Sequence, residues 1–93
     1  MAHIIERVPG NAANADATIN RTAKKMRAEN VGSTADVVWG DELVAELAVV
    51  HTSVGPVVTM RRVWPKYDHW SLADHAGLTV SQADTARQEV AAR

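Results

Sequence analysis

The core of this chain has to be assembled from small side chains. There are sixteen Ala and thirteen Val against four Leu and three Ile, and no Phe. Each small side chain removes little area from water, so the elements must pack closely. Trp39, Trp64 and Trp70 are then expected to supply most of the burial, at about 150 to 250 Å² apiece when enclosed. At 93 residues the chain has the size of one domain. Such a domain buries roughly 60 to 65% of the surface its extended chain exposes, enough for a modest core without covalent staples. The absence of cysteine excludes disulfides, thiolate zinc sites and cysteine nucleophiles together.

Charge and hydropathy narrow the function classes. A net charge of −1 and a pI near 6.4 give no general attraction to nucleic acid or anionic lipid, so binding of that kind needs a local patch. No stretch is long and apolar enough to span a bilayer, and the opening residues lack the basic and apolar regions of a signal peptide. A cytoplasmic protein is expected, or a virion component if the chain is a phage structural protein. The bias toward Ala, Val and Arg fits a GC-rich bacterial or phage genome.

Periodicity divides the chain into four parts. Residues 1–10 read as an N-terminal arm or edge strand, because Ile4 and Ile5 sit in a short run stopped by Pro9-Gly10. Residues 11–31 read as a helix capped by Asn11 or Asn14, with Ala15, Ile19, Ala23 and Met26 at helical spacing and Asn30-Val31-Gly32 as its stop. Arg21, Lys24, Lys25 and Arg27 form its outer face, read as a solvated stripe in preference to a phosphate-binding one. Residues 35–64 form a Val-rich α/β centre. Within it Ala35 to Trp39 is a strand, Gly40-Asp41 a tight turn, and Asp41 to Val50 a helix, since Glu, Leu and Ala favour helix there. The competing reading of that centre is a three-stranded meander. Thr52 to Pro56 is a turn, and Val57 to Trp64 is a strand with Val58, Met60, Arg62 and Trp64 on one face.

The fourth part, residues 71–91, carries the only stretch with a functional shape. Ser71-Leu72-Ala73-Asp74 and Thr79-Val80-Ser81-Gln82 each read as a capping box at a helix start. Gly77 lies between them, where a left-handed residue ends one helix and redirects the chain. Ala73, Leu78, Ala83 and Ala86 supply spaced small and apolar contacts. From Leu72 to Val90 the run resembles the helix-turn-helix of bacterial and phage DNA-binding proteins. The resemblance implies a second helix that enters the major groove of double-stranded DNA with Thr79, Ser81, Thr85 and Gln88, while Arg61, Arg62 and Lys66 hold the adjacent backbone. The expected fold is thus α+β: a small single domain with an N-terminal helix and a short Val-rich sheet, followed by a C-terminal helix-turn-helix-like pair.

Catalysis has no foothold in the sequence. His3, His51, His69 and His75 include no pair at the four-residue spacing of zinc helices. No nucleophile elbow occurs, and the five glycines are isolated from one another, so no phosphate loop is present. The expectation is a protein without enzymatic activity, metal, cofactor or small-molecule substrate. Two functions follow. One is a small helix-turn-helix-type DNA-binding regulator or recombination accessory factor. The other is a phage or bacterial assembly or interaction protein that binds itself or a protein partner through its Val- and Trp-rich surface, with Arg62 and Trp64 as interface anchors.

Overall fold

A computed structural model describes residues 3–29, 34–63, 70–74 and 77–92. Strand β1, His3–Arg7, leads through a single 3₁₀ turn, Ala12–Asn14, into helix α1, Ala15–Glu29. Strands β2, Thr34–Trp39, β3, Glu42–Thr52, β4, Gly55–Arg62, and β5, Ser71–Asp74, follow, and helix α2, Val80–Ala91, comes last. The five strands form one sheet in sequence order. Only β1 and β2 run parallel, because α1 carries the chain back over the sheet between them; the other neighbours are antiparallel hairpin partners.

The 3₁₀ turn that leads into α1 is capped by Asn11, which accepts a hydrogen bond from the Ala13 amide, and Asn14 ties that turn to the Pro9 carbonyl at 2.6 Å. The helix then buries Ala15, Ile19, Ala23 and Met26, each no more than 2% exposed, on one face of the sheet. Against them lie Ala35 and Val37 of β2, Val44, Ala45 and Leu47 of β3, and Val58 of β4. Thr18 and Thr22 are buried on the same helix. Their hydroxyls donate to the carbonyls of Asn14 and Thr18, one turn back, so no polar group is stranded. Near its C-terminal end Lys25 reaches Glu6 on β1 and Arg27 reaches Asp74 on β5. Two residues apart is about 200° around a helix, so these arms leave opposite flanks of one turn and tie it to both outer strands.

The other face of the sheet is covered by α2, and only in part. Ala83, Ala86 and Val90 are buried, and Ala86 and Val90 close a second cluster with Val57 and the half-buried Val54, Trp70, Leu72 and Leu78. The Glu89 carboxylate accepts hydrogen bonds from the Ser53 amide and hydroxyl, which fastens α2 to the turn between β3 and β4.

Three sequence expectations are corrected here. Asp41 to Val50 is not a helix; Glu42–Thr52 is the long central strand of the sheet, as in the competing meander reading. Helix propensity there is a matter of tenths of a kcal/mol per residue, and pairing on both sides outweighs it. The sheet is accordingly not short. The helix-turn-helix-like pair is absent, because Ser71–Asp74 is strand β5 and Leu72 opposes Thr59 of β4. Between Ser71 and Gly77 there is too little chain to overcome the cost of helix nucleation, while the edge of β4 offers ready main-chain partners. Gly77 does take positive φ, +84°, and the Thr79–Gln82 capping box does start α2, but the turn joins a strand region to a helix. Finally, the largest fully buried side chains include Met26, Leu47, Val37 and Val58, whereas Trp39 is 38% exposed and Trp70 half-buried. Trp64 lies outside the described residues.

Candidate interaction surface

The part of the sheet that α2 leaves open is built from β1, β2 and the start of β3. Alternation along the strands puts His3, Ile5 and Arg7 of β1 on this face, and register aligns them with Thr34, Asp36 and Val38 of β2. Across β3 the same face continues with Leu43, Glu46 and Ala48. One lateral row therefore runs Ile5, Asp36, Glu46, Arg61 over four strands.

Asp36 and Glu46 are directly opposed, a like-charge pair that costs free energy unless it is compensated. Each has its own partner on the outer side. The His3 imidazole meets Asp36 through Nε2 at 3.1 Å and Thr34 through Nδ1 at 2.7 Å. Arg61 binds Glu46 and lies over the Trp70 ring with its guanidinium carbon 5.9 Å from the centroid. The result is a polar ladder from the β1 edge to the rim of α2, with apolar Val38, Leu43 and Ala48 beside it.

The β1 edge has its own polarity. The Val8 amide donates to the Val38 carbonyl at 2.8 Å, so even-numbered residues bond toward β2. By the two-residue alternation of a strand, the N–H and C=O groups of His3, Ile5 and Arg7 point away from the sheet. Their side chains are exposed, and Ile5 at 61% is among the most exposed large hydrophobic residues described. No proline or bulge interrupts the strand, and such features are how edges are commonly blunted.

The residues expected to bind nucleic acid are dispersed. Arg61 is on the open face, while Arg62 is on the α1 face in an ion pair with Asp16. Successive strand residues point oppositely, so these two do not form one basic patch. Thr79 is spent as the α2 cap, accepting from the Gln82 amide at 3.1 Å, and the half-buried Thr85 donates to the Ser81 carbonyl at 3.1 Å. Ser81 and Gln88 are exposed, with an Asp84–Arg87 ion pair on the same helix. Lys66, and Trp64 as the proposed anchor beside Arg62, lie outside the described residues, and Arg62 itself is under α1 rather than on the open face. Of the basic stripe on α1, Lys25 and Arg27 are held in ion pairs while Arg21 and Lys24 are exposed.

Arg7, Asp36 and Glu46 belong to no motif in the sequence, where His3 reads only as an isolated histidine and Ile5 only as part of an arm or edge strand. The signal for β1 was present in its short unblunted run, and for Asp36 in a carboxylate placed between Ala35 and Val37. Their convergence depended on the parallel β1–β2 register, which a crossover connection conceals. Among the described residues no three His, Asp or Glu side chains converge as a metal site, and no helix is long and apolar enough to cross a membrane. Comparison of the chain with family models, curated proteins and solved structures finds no match.

Proposed function

We propose that the protein is a cytoplasmic, non-enzymatic interaction module that takes an extended protein strand on its β1 edge, with the open half of the sheet receiving that strand's side chains. The observation that carries this reading is the outward-facing main chain of His3, Ile5 and Arg7 beside an Ile5 side chain left 61% exposed. An exposed edge of this kind supplies affinity through main-chain hydrogen bonds and selectivity through alternate side chains, the logic of recognition by strand addition. The Asp36–Glu46 pair adjoining the edge favours a cationic side chain in the incoming strand.

A DNA-reading role for α2 has weaker support. Two of its four candidate side chains are occupied in holding their own helix, and the nearby arginines are paired with carboxylates on opposite faces of the sheet. Backbone binding to DNA relies on unpaired cations that displace counterions.

The test is a panel of short random peptides titrated against the isotope-labelled protein. Binding should move the amide resonances of His3, Ile5 and Arg7 and leave those of Gln82 to Ala91 in place. Binding of a random duplex pool at low salt, with the shifts confined to α2, would contradict the reading.

A further inference from the structure

The geometry points to a second copy of this chain as the occupant of the β1 edge, joined by antiparallel β1–β1 pairing about a two-fold axis through Ile5. The inference rests on the interaction-module reading and names its partner. Two five-stranded sheets would then continue as one.

The main chain selects the register. In an antiparallel pair, directly opposed residues exchange two hydrogen bonds only where both turn N–H and C=O toward the partner. On β1 those residues are His3, Ile5 and Arg7. An axis through Ile5 sets Ile5 against its own copy and His3 against Arg7 on either side, so all three outward residues of each strand are used. Moving the axis to Ile4 leaves Arg7 beyond the opposing strand, and moving it to Glu6 sets the two Glu6 carboxylates against each other. A slip by a single residue would put the open face of one copy beside the α1 face of the other.

The side chains are complementary under the same axis. On the open face the two Ile5 side chains meet at the centre, a β-branched cross-strand pair that removes the exposed apolar surface of both copies. Arg7 is exposed and forms no ion pair among the described residues. The axis brings it directly across from His3 of the second copy, whose ring is held by Asp36. Beyond that ring lies the Asp36 carboxylate of the second copy, so each copy extends a cation toward the other's carboxylate. An interface in which one residue contacts a second, and the second contacts the first, is what a two-fold axis requires. On the α1 face Glu6 stays with Lys25 of its own chain. Five residues of strand pairing fall well below the ~1,200 Å² of a stable complex, so association is concentration-dependent, with a dissociation constant in the roughly micromolar to millimolar range.

Sedimentation equilibrium of the full chain up to ~1 mM tests this, alongside Ile5→Pro and Arg7→Glu. Proline at position 5 removes an N–H that points away from β2, a placement an edge strand tolerates, so the monomer keeps its fold while both central hydrogen bonds are lost. Circular dichroism checks that fold, and Arg7→Glu keeps the test valid should Ile5→Pro unfold. The expected result is a wild-type monomer–dimer equilibrium and a dissociation constant at least about tenfold higher in each variant. A wild type that stays monomeric to ~1 mM overturns the inference, and so does a dimer as tight in both variants as in the wild type. A monomer whose β1 amides still shift with added peptides would refute the second copy while sustaining the strand-binding reading; a monomer that also ignores peptides would refute both.

Discussion

The two faces of the sheet differ in how their covering helix reaches them. Helix α1 connects two adjacent parallel strands, so its path must return over the sheet, and its last turn is tied to both outer strands through Lys25 and Arg27. It meets the largest buried side chains of the sheet, Leu47, Val37 and Val58. Helix α2 instead follows the far edge strand and docks through Ala83, Ala86 and Val90, held by Glu89 at one turn. A helix about 10 to 12 Å across spans about two strand spacings of ~4.8 Å, so one packed over β3, β4 and β5 cannot also shield β1 and β2. Connectivity therefore leaves the β1–β2 side of this face uncovered by either helix, and the ladder that starts at His3 runs across it to the rim of α2.

Substitutions of graded severity can break or sharpen this contrast. The largest effect is expected on the α1 face, where Leu47→Ala should lower unfolding free energy by ~2 to 5 kcal/mol, measured by urea denaturation, since a fully covered site cannot collapse around the cavity. Beneath α2, Ala86→Leu should cost about 1 to 3 kcal/mol by overpacking against Val57, and the loss should appear first as faster amide exchange within α2. Thr79→Ala removes the hydroxyl of the α2 capping box and should cost ~1 kcal/mol in the same denaturation assay. Ile5→Ser on the open face should change the stability of the dilute protein by no more than ~0.5 kcal/mol. A loss there comparable to that of Leu47→Ala would mean that Ile5 is covered and that the two faces are alike.

Sequence reasoning served best where a local pattern decided the outcome. The spacing of Ala15, Ile19, Ala23 and Met26 marked the buried stripe of α1, and the Thr79–Gln82 box marked the start of α2. Gly40 turns the chain between β2 and β3 with a φ of +60°, as its place before Asp41 implied. It served poorly where distant partners decided it. Glu42 to Thr52 has helix-forming residues and becomes a strand because β2 and β4 flank it on both sides. Ser71 to Asp74 has the capping pattern of a helix start, yet Ser71 lies opposite Met60 in the sheet. The open surface suffered most, because Ile5, Asp36, Glu46 and Arg61 come from four strands and align only through register.

Amide hydrogen exchange along β1, measured at low and high protein concentration, tests the central claim most directly. Outward-facing His3, Ile5 and Arg7 should exchange fast in dilute solution, while Glu6 and Val8 are slowed by the ladder to β2 or by their position within it; raising the concentration should slow His3, Ile5 and Arg7 selectively. Equal protection of odd and even residues in the dilute protein would contradict the account, because the edge would then already be covered.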